Sequence, residues 1–293
     1  MPVYNGAEFV VRAADSILRQ TLRNLELIII DDGSTDDTWT AIKKLTERDR
    51  RIHIFRNKSN VGIPGTSNRA ISLARGRFIA RQDADDWSYP DRLEKQIRYL
   101  RNHANIVAVG SQMLVVDQKG HFIRLWRVPL IHEDIDLRHI NGFGLQLPHG
   151  TMVVRTEAIA SIGGYREDFL QGGDHEMILR LTEIGRIANL PNVLYRYTRH
   201  GENTTSLHRE KYAPNKKIAL REAWNRRGLG ELPFQVIPNP AMKFRDGSRM
   251  VSLFIYGLKN VLRNPSSPEG WSALKGAAAR LVRKRGNREV KVS

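Results

Sequence analysis

Cysteine is absent from the 293-residue chain, which excludes disulfides and thiolate-held metal sites and fits a reducing compartment. Long apolar runs are missing too. None reaches the roughly 18–20 residues needed to span a bilayer. The opening "MPVYNGAEF" lacks the basic start and apolar stretch of a signal peptide. The expected location is the cytoplasm, with the inner face of the cell membrane as its lipid contact. Acidic residues are scarce in one region. Residues 206–293 hold 19 Lys and Arg against 6 Asp and Glu, whereas residues 1–205 hold 28 and 25. A nearly neutral front part therefore carries a strongly basic extension, suited to an anionic surface. No nucleic-acid-binding module and no basic–aromatic interleaving is present, so nucleic acid is not an expected partner.

What is present in the front part is alternation. "AEFVVRAADSILRQ" (7–20) places Val10, Val11, Ala14, Ile17 and Leu18 at helical spacing, and "LELIII" (25–30) is a short apolar run that reads as a buried strand. Ser34 and Thr35 are candidate N-caps for the next helix. "RIHIF" (51–55) and "RFIAR" (77–81) are strand-like, with a helix over 65–75 between them. This spacing predicts βαβ units around a mixed, mostly parallel sheet flanked by helices. Further on, "IVAVGSQMLVV" (106–116) and "HFIRLWRV" (121–128) can pair across a turn at Lys119–Gly120. Helices near 155–162 and 174–184 and a strand over 192–198 follow. The predicted division is an α/β domain over 1–205 and a basic, mostly helical extension over 206–293.

Parallel sheets bind ligands beyond the carboxyl ends of their strands, and the acidic residues gather there. Asp31 and Asp32 end one strand; Asp83, Asp85 and Asp86 follow another. Ser88 reads as an N-cap with Asp91 at N3, which leaves the three aspartates in a strand-to-helix loop. They fit either a solvated turn or a hard divalent cation, Mg²⁺ or Mn²⁺, shared with substrate phosphates. Asp32 suits a base or ribose. In "LQGGDHEMILRL" (170–181), Asp174 falls near a helix start, where a carboxylate also complements the macrodipole.

The stretches "MPVYNGAEFVVRAADSILRQTLRNLELIIIDDGSTDDT", "NVGIPGTSNRAISLARGRFIARQDADDW" and "PDRLEKQ" resemble the family 2 inverting glycosyltransferases of the GT-A, Rossmann-like fold, over roughly residues 1–205. The resemblance implies a nucleotide-diphosphate-sugar donor, UDP-linked by expectation, a divalent metal, and a hydroxyl on a glycan or lipid-linked acceptor in cell-surface polysaccharide biosynthesis. It assigns Asp85 to the metal and diphosphate, and Asp83 to the ribose side with Asp86 adjacent. Asp32 is assigned to the base, and Pro2, Val3 and Tyr4 to the nucleotide pocket. It also makes Asp174 the catalytic base, with Glu176 as the alternative. The family usually shows Glu-Asp here, whereas this chain has Gly173-Asp174. "LPHGTMVVRTEAI" is similar to the segment that places a His near donor and acceptor, so His149 and Thr151 are candidates. "YRYTRHGENTTS" resembles a loop over the diphosphate, with Arg199 and His200 as phosphate or metal contacts.

Family members usually carry several apolar residues before the position of Met1. The expectation is therefore a first strand cut short, with the coding region extending upstream by on the order of 5–8 residues. In the basic extension, residues 248–263 and 270–285 form two amphipathic patterns, expected either to pack on the domain or to lie on anionic lipid. Two other readings compete. A sugar-phosphate nucleotidyltransferase would show a Gly-rich phosphate loop at its start, which "MPVYNGAEF" does not. A degenerate glycan-binding or assembly protein would lack turnover.

Overall fold

The computed structural model describes residues 1–201, 203 and 209–230. These fall into two compact units. The larger comprises residues 1–113 and 127–197 with the described residues from 201 to 230; the smaller includes 114–126 and 198–200.

The larger unit opens with β1 (Pro2–Val3), α1 (Val10–Leu18), β2 (Leu27–Asp31), α2 (Thr38–Thr46) and β3 (Ile52–Arg56). Helix α1 buries Val10, Ala13, Ala14 and Ile17, one face at three- and four-residue spacing. All five residues of β2 are buried, as a parallel strand covered on both faces requires. The three strands pair in parallel in the order β1-β2-β3. Beyond the two residues of β1, Met1 also engages β2: its amino group donates to the Ile28 carbonyl at 2.9 Å, and the Ile30 N–H donates to the Met1 carbonyl.

Next come α3 (Gly62–Leu73), β4 (Phe78–Ala80), β5 (Trp87–Ser88), α4 (Arg92–Asn102) and β6 (Ile106–Asp117). The hairpin of β6 with β7 (Phe122–Trp126) turns at Gly120, whose φ of 81° suits glycine. Then follow α5 (His132–Ile140), a 3₁₀ turn (His149–Thr151), β8 (Val153–Arg155), α6 (Thr156–Ser161), α7 (Gly173–Ile184), β9 (Arg186–Arg199) and α8 (Arg209–Arg226). The second sheet runs β4-β8-β6-β9-β5. Its β4–β8, β6–β8 and β5–β9 pairs are antiparallel, so the parallel part of the architecture is the three-stranded sheet.

Two expected caps are corrected. Helix α2 begins at Thr38, and Asp36, not Ser34 or Thr35, accepts the Thr38 N–H at 3.0 Å. Ser34 instead accepts the Asn5 N–H at 2.9 Å. Ser88 lies in β5, its buried hydroxyl donating to Gln82 Oε1 at 2.6 Å, and α4 starts after Asp91. The expected boundary at 205 also falls just ahead of a packed helix. Ala219, Leu220 and Ala223 of α8 share a core with Ile140, Phe169 and Leu179, and Trp224 donates to the Ile140 carbonyl at 2.9 Å. The two amphipathic patterns at 248–263 and 270–285 lie outside the described residues.

Helices α5 and α7 bring His139 and His175 into a fully buried stack, ring centroids 4.0 Å apart. Burial above all, with Lys216 adding repulsion, pushes His139 down to about 3 and His175 well below its usual value. Above about pH 6.5 the rings are neutral whether folded or unfolded, so the pair exacts no penalty. Below that, the unfolded chain binds protons that the folded pair excludes. Stability is thus expected to fall by about 1.4 kcal/mol per pH unit per histidine. Urea midpoints between pH 7 and 5 check this: converting both rings to Phe should flatten the slope, and an unchanged slope would refute the assignment.

Candidate active site

The loops after β1, β2 and β3 form one interlocked surface. At the end of β2, Asp31 accepts the Ser34 N–H at 2.9 Å through Oδ1, while its Oδ2 lies 2.9 Å from Arg56 Nε. Asp32 accepts from Asn57 Nδ2 at 2.7 Å and from the Val61 and Gly62 N–H groups at 3.0 and 2.9 Å. Its charge thus sits at the N-terminus of α3, where the helix dipole favours it. Asn5, in a left-handed conformation with φ of 47°, accepts the Thr35 N–H. A Cβ on Gly33, whose φ is 74°, would come within 2.9 Å of the Ser59 backbone. Of the three residues expected to line a nucleotide pocket here, Val3 is in the core and Pro2 is half-buried, whereas Tyr4 is 48% exposed.

Strand β4 delivers the acidic loop, and Arg81 offsets the charge of its first carboxylate. Arg81 donates to Asp83 Oδ1 at 2.6 Å. The Asp83 N–H donates to the hydroxyl of Tyr195, a β9 residue. Burial alone would raise the Asp83 pKa, but Arg81, followed by His149, the Met1 amine and Arg92, holds it below the usual carboxylate range. Asp86 is buried, with its N–H on the Asp83 carbonyl at 3.3 Å. Asp85 is half-buried and accepts from Asn203 Nδ2 at 3.1 Å. Arg12 approaches the Asp85 carbonyl at 3.5 Å; burial lowers its pKa, with Arg196 adding repulsion, while Asp86 and Asp85 oppose the shift.

Opposite this loop stand the 3₁₀ turn and the start of α7. His149 Nε2 lies 2.6 Å from the Tyr165 hydroxyl. Gly150 must be glycine: a Cβ there would sit 2.5 Å from the Tyr195 hydroxyl and 2.8 Å from Asp83 Oδ2. Thr151 is fully buried. Its hydroxyl donates to the Pro148 carbonyl and accepts the Ser111 N–H, so this expected sugar contact braces the turn against β6 instead.

Asp174 is the second residue of α7, half-buried, and its Oδ1 accepts the His175 N–H at 2.8 Å. Glu176 is a different kind of carboxylate. It is buried, with Arg180 on both oxygens at 2.7 and 2.6 Å, which removes the alternative base from solvent. Asp83 and Asp174 both act on His149 and on Tyr165, as does Arg81. The two carboxylates predicted for donor and acceptor therefore influence the same histidine and tyrosine electrostatically.

Arg199 ends β9 and His200 follows it; both belong to the smaller unit. Several participants were not legible in the sequence. Tyr195 reaches Asp83 from 112 residues away, and Tyr165 reaches His149 from 16; Arg81, two residues before Asp83, carried no local sign of its pairing. Tyr212 of α8 is largely buried; burial first, then Asp174, raises its pKa. Asn215 donates to the Gln171 carbonyl at 2.8 Å and so ties α8 to the loop leading into Asp174.

Among the described residues, no three His, Asp or Glu side chains converge as metal ligands. Asp85, half-buried at the tip of the acidic loop, offers a hard oxygen donor, which fits a Mg²⁺ or Mn²⁺ whose other ligands are diphosphate oxygens and water. No helix among the described residues is long and apolar enough to cross a membrane.

Residues 1–163 match the family described as Glycosyl transferase family 2. The chain belongs to that family. This glycosyltransferase is similar to an uncharacterized glycosyltransferase of Haemophilus influenzae, with 31% identity over 75% of this chain and 70% of the relative. Its fold is similar to that of S. aureus TarS in complex with UDP, with a TM-score of 0.58 at 19% identity over 87% of this chain and 77% of that one. A mannosyltransferase from Pyrobaculum calidifontis, in complex with GDP-Man and Mn²⁺, gives a TM-score of 0.60 at 18% identity over 99% and 79%. At those identities the likeness establishes the GT-A fold. The expectation of an enzyme, and of this family, is met.

Proposed function

We propose that the protein transfers a sugar from a nucleoside-diphosphate donor, UDP-linked by preference, to a glycan or lipid-linked hydroxyl with inversion at the anomeric carbon. The observation that carries this reading is the seating of the acidic loop against the turn that carries His149, where a Cβ on Gly150 would lie 2.8 Å from Asp83 Oδ2. That contact supports a donor-side carboxylate and His149 sharing one site, with Asp174 electrostatically coupled to the same histidine.

In this reading Tyr4 and the loops locked by Asn5 and Asp32 receive the base and ribose, with Asp83 on the ribose side. Asp32, fully engaged by three donors, shapes the pocket as well as bordering it. Asp85 would hold Mg²⁺ or Mn²⁺, which, when bound, neutralises charge on the departing diphosphate. Asp174 accepts the proton of the acceptor hydroxyl as its oxygen attacks C1 from the face opposite the leaving group. An α-linked donor then yields a β-linked product. Arg199 and His200 are proposed contacts to the diphosphate, and the basic extension is proposed to hold the enzyme at an anionic membrane surface, where a lipid-linked acceptor resides.

The test is release of nucleoside diphosphate from a panel of donors, with and without Mn²⁺. Turnover should depend on the metal in the wild type, and Asp85→Ala should remove the response to Mn²⁺ while leaving the far-UV circular dichroism unchanged. A full Mn²⁺ response in Asp85→Ala would overturn the metal assignment. Turnover with no donor under any metal would overturn the donor class.

A further inference from the structure

Tyr165 has a backbone held from a distance. Its N–H donates to Asn68 Oδ1 at 2.8 Å, and Asn68 Nδ2 donates back to the Tyr165 carbonyl at 2.8 Å. The preceding Gly164 has a φ of 70°, and a Cβ there would strike Asn68 Oδ1 at 2.5 Å, so glycine is what allows this clasp. Asn68 lies in α3, the helix whose first turn Asp32 holds. The nucleotide-side loops and Tyr165 are thus parts of one rigid connection.

The Tyr165 hydroxyl meets His149 Nε2 at 2.6 Å and makes no other hydrogen bond among the described residues. Burial first, then the carboxylates of Asp174 and Asp83, raises the Tyr165 pKa against the pull of Arg81, so the phenol keeps its proton. Burial, then Arg81, lowers that of His149 against the pull of Asp83 and Asp174, so the imidazole is neutral. A neutral phenol has one proton to donate, and Nε2 is the acceptor within reach. If Nε2 accepts, the ring proton resides on Nδ1. Nδ1 makes no hydrogen bond among the described residues, so its N–H is available to a ligand.

We propose that Tyr165 is a positioning residue that locks His149 in its Nδ1–H tautomer, making it a hydrogen-bond donor to a sugar oxygen and closing the lone pair through which it would act as a base. The proposal rests on the glycosyltransferase site assigned above. It accounts for how a carboxylate and an imidazole share one site without competing for the acceptor proton. With Nε2 filled by the phenol and Nδ1 protonated, His149 has no vacant basic nitrogen, and Asp174 takes the proton alone.

The experiment uses the full chain labelled with ¹⁵N-histidine, with the His149 signals identified by their loss in His149→Gln. Two-bond ¹H–¹⁵N correlations distinguish the tautomers. The wild type should show His149 protonated at Nδ1, and Tyr165→Phe, which retains the ring, should shift it toward Nε2–H. The same substitution should lower kcat about tenfold, the worth of one hydrogen bond, while the donor KM stays within twofold. A wild-type His149 protonated at Nε2, or a Tyr165→Phe protein with unchanged tautomer and kcat, would overturn the proposal. The tautomer reading does not depend on turnover. Absence of nucleoside diphosphate release in the wild type would count against the glycosyltransfer reading, while the spectra would still decide the Tyr165–His149 assignment.

Discussion

Asp174→Asn is expected to lower kcat by roughly 10²–10⁴-fold, the usual range for loss of a general base, while leaving donor affinity within a few-fold. The substitution is suited to the question because the amide keeps an oxygen where Oδ1 accepts the His175 N–H at 2.8 Å, so the first turn of α7 retains that hydrogen bond. What disappears is the ability to take a proton. Glu176→Gln should behave differently. Glu176 is buried with Arg180 at 2.6 Å and Arg166 at 3.9 Å, and neutralising it leaves Arg180 without its carboxylate, whereas Arg166 keeps Asp168 and Glu222. Its effect should appear in the urea midpoint, with kcat changed only to the extent that α7 moves. Single-turnover release of nucleoside diphosphate, with donor affinity measured separately by calorimetry, distinguishes the two. An Asp174→Asn enzyme within fivefold of the wild-type rate would show that the proton goes elsewhere.

The strand ends were readable because charge stands out against an apolar run. "LIIID" and "FIARQDADD" mark where a buried strand meets solvent, and both acidic pairs lie where that pattern places them. The helix at 10–18 was legible for a related reason, since its buried apolar residues recur at helical spacing; the helix expected over 65–75 runs 62–73 and buries Pro64, Thr66 and Ser67, which no apolar period marks. Strand β5 was not, because two residues carry no period, and α5 has few apolar positions to mark its buried face. Side-chain partnerships were harder still. The sequence made Asp32 a ligand group, yet its three donors come from 25 to 30 residues away, in a loop that only the parallel pairing of β2 with β3 brings alongside. Thr151 looked available for the same reason: nothing local says that Ser111, 40 residues earlier, will donate to its hydroxyl. Tyr165 and Asn68 are 97 residues apart. Roles that depend on which group reaches a side chain first were open until the packing was known, whereas roles set by position at a strand end were visible at once.

The largest stability effect is expected at Arg92. Arg92→Ala should cost about 3–5 kcal/mol, from buried acceptors left unmatched and the void left by the side chain. The guanidinium is fully buried on the first turn of α4 and is hydrogen-bonded to neutral acceptors: Gln96 Oε1 and Gln82 Oε1 at 3.1 Å, Ser88 Oγ at 2.7 Å and the Arg81 carbonyl at 2.6 Å. It also lies 5.0 Å from the Tyr195 ring centroid. Burial lowers its pKa to about 10, with Tyr195, Asp83 and Asp86 opposing the shift, so it remains charged at neutral pH. Removing it would relieve a buried charge but leave the Arg81 carbonyl and Gln96 Oε1 without this donor and open a void beneath Tyr195. Unmatched buried acceptors cost about 1–3 kcal/mol each, and the void adds to that. Lysine is not a rescue, because one ammonium cannot span acceptors on α4, β5 and the end of β4 together. The functional consequence follows from the same bonds. The Arg81 carbonyl is one of the points fixing the residue that pairs with Asp83, so Arg92→Lys, if it folds, should raise the donor KM more than it lowers kcat. Urea unfolding of both variants beside the wild type measures the first effect, and steady-state kinetics on Arg92→Lys measures the second. A midpoint for Arg92→Ala matching the wild type would mean that the four acceptors find other donors and that the buried arginine is dispensable to the acidic loop.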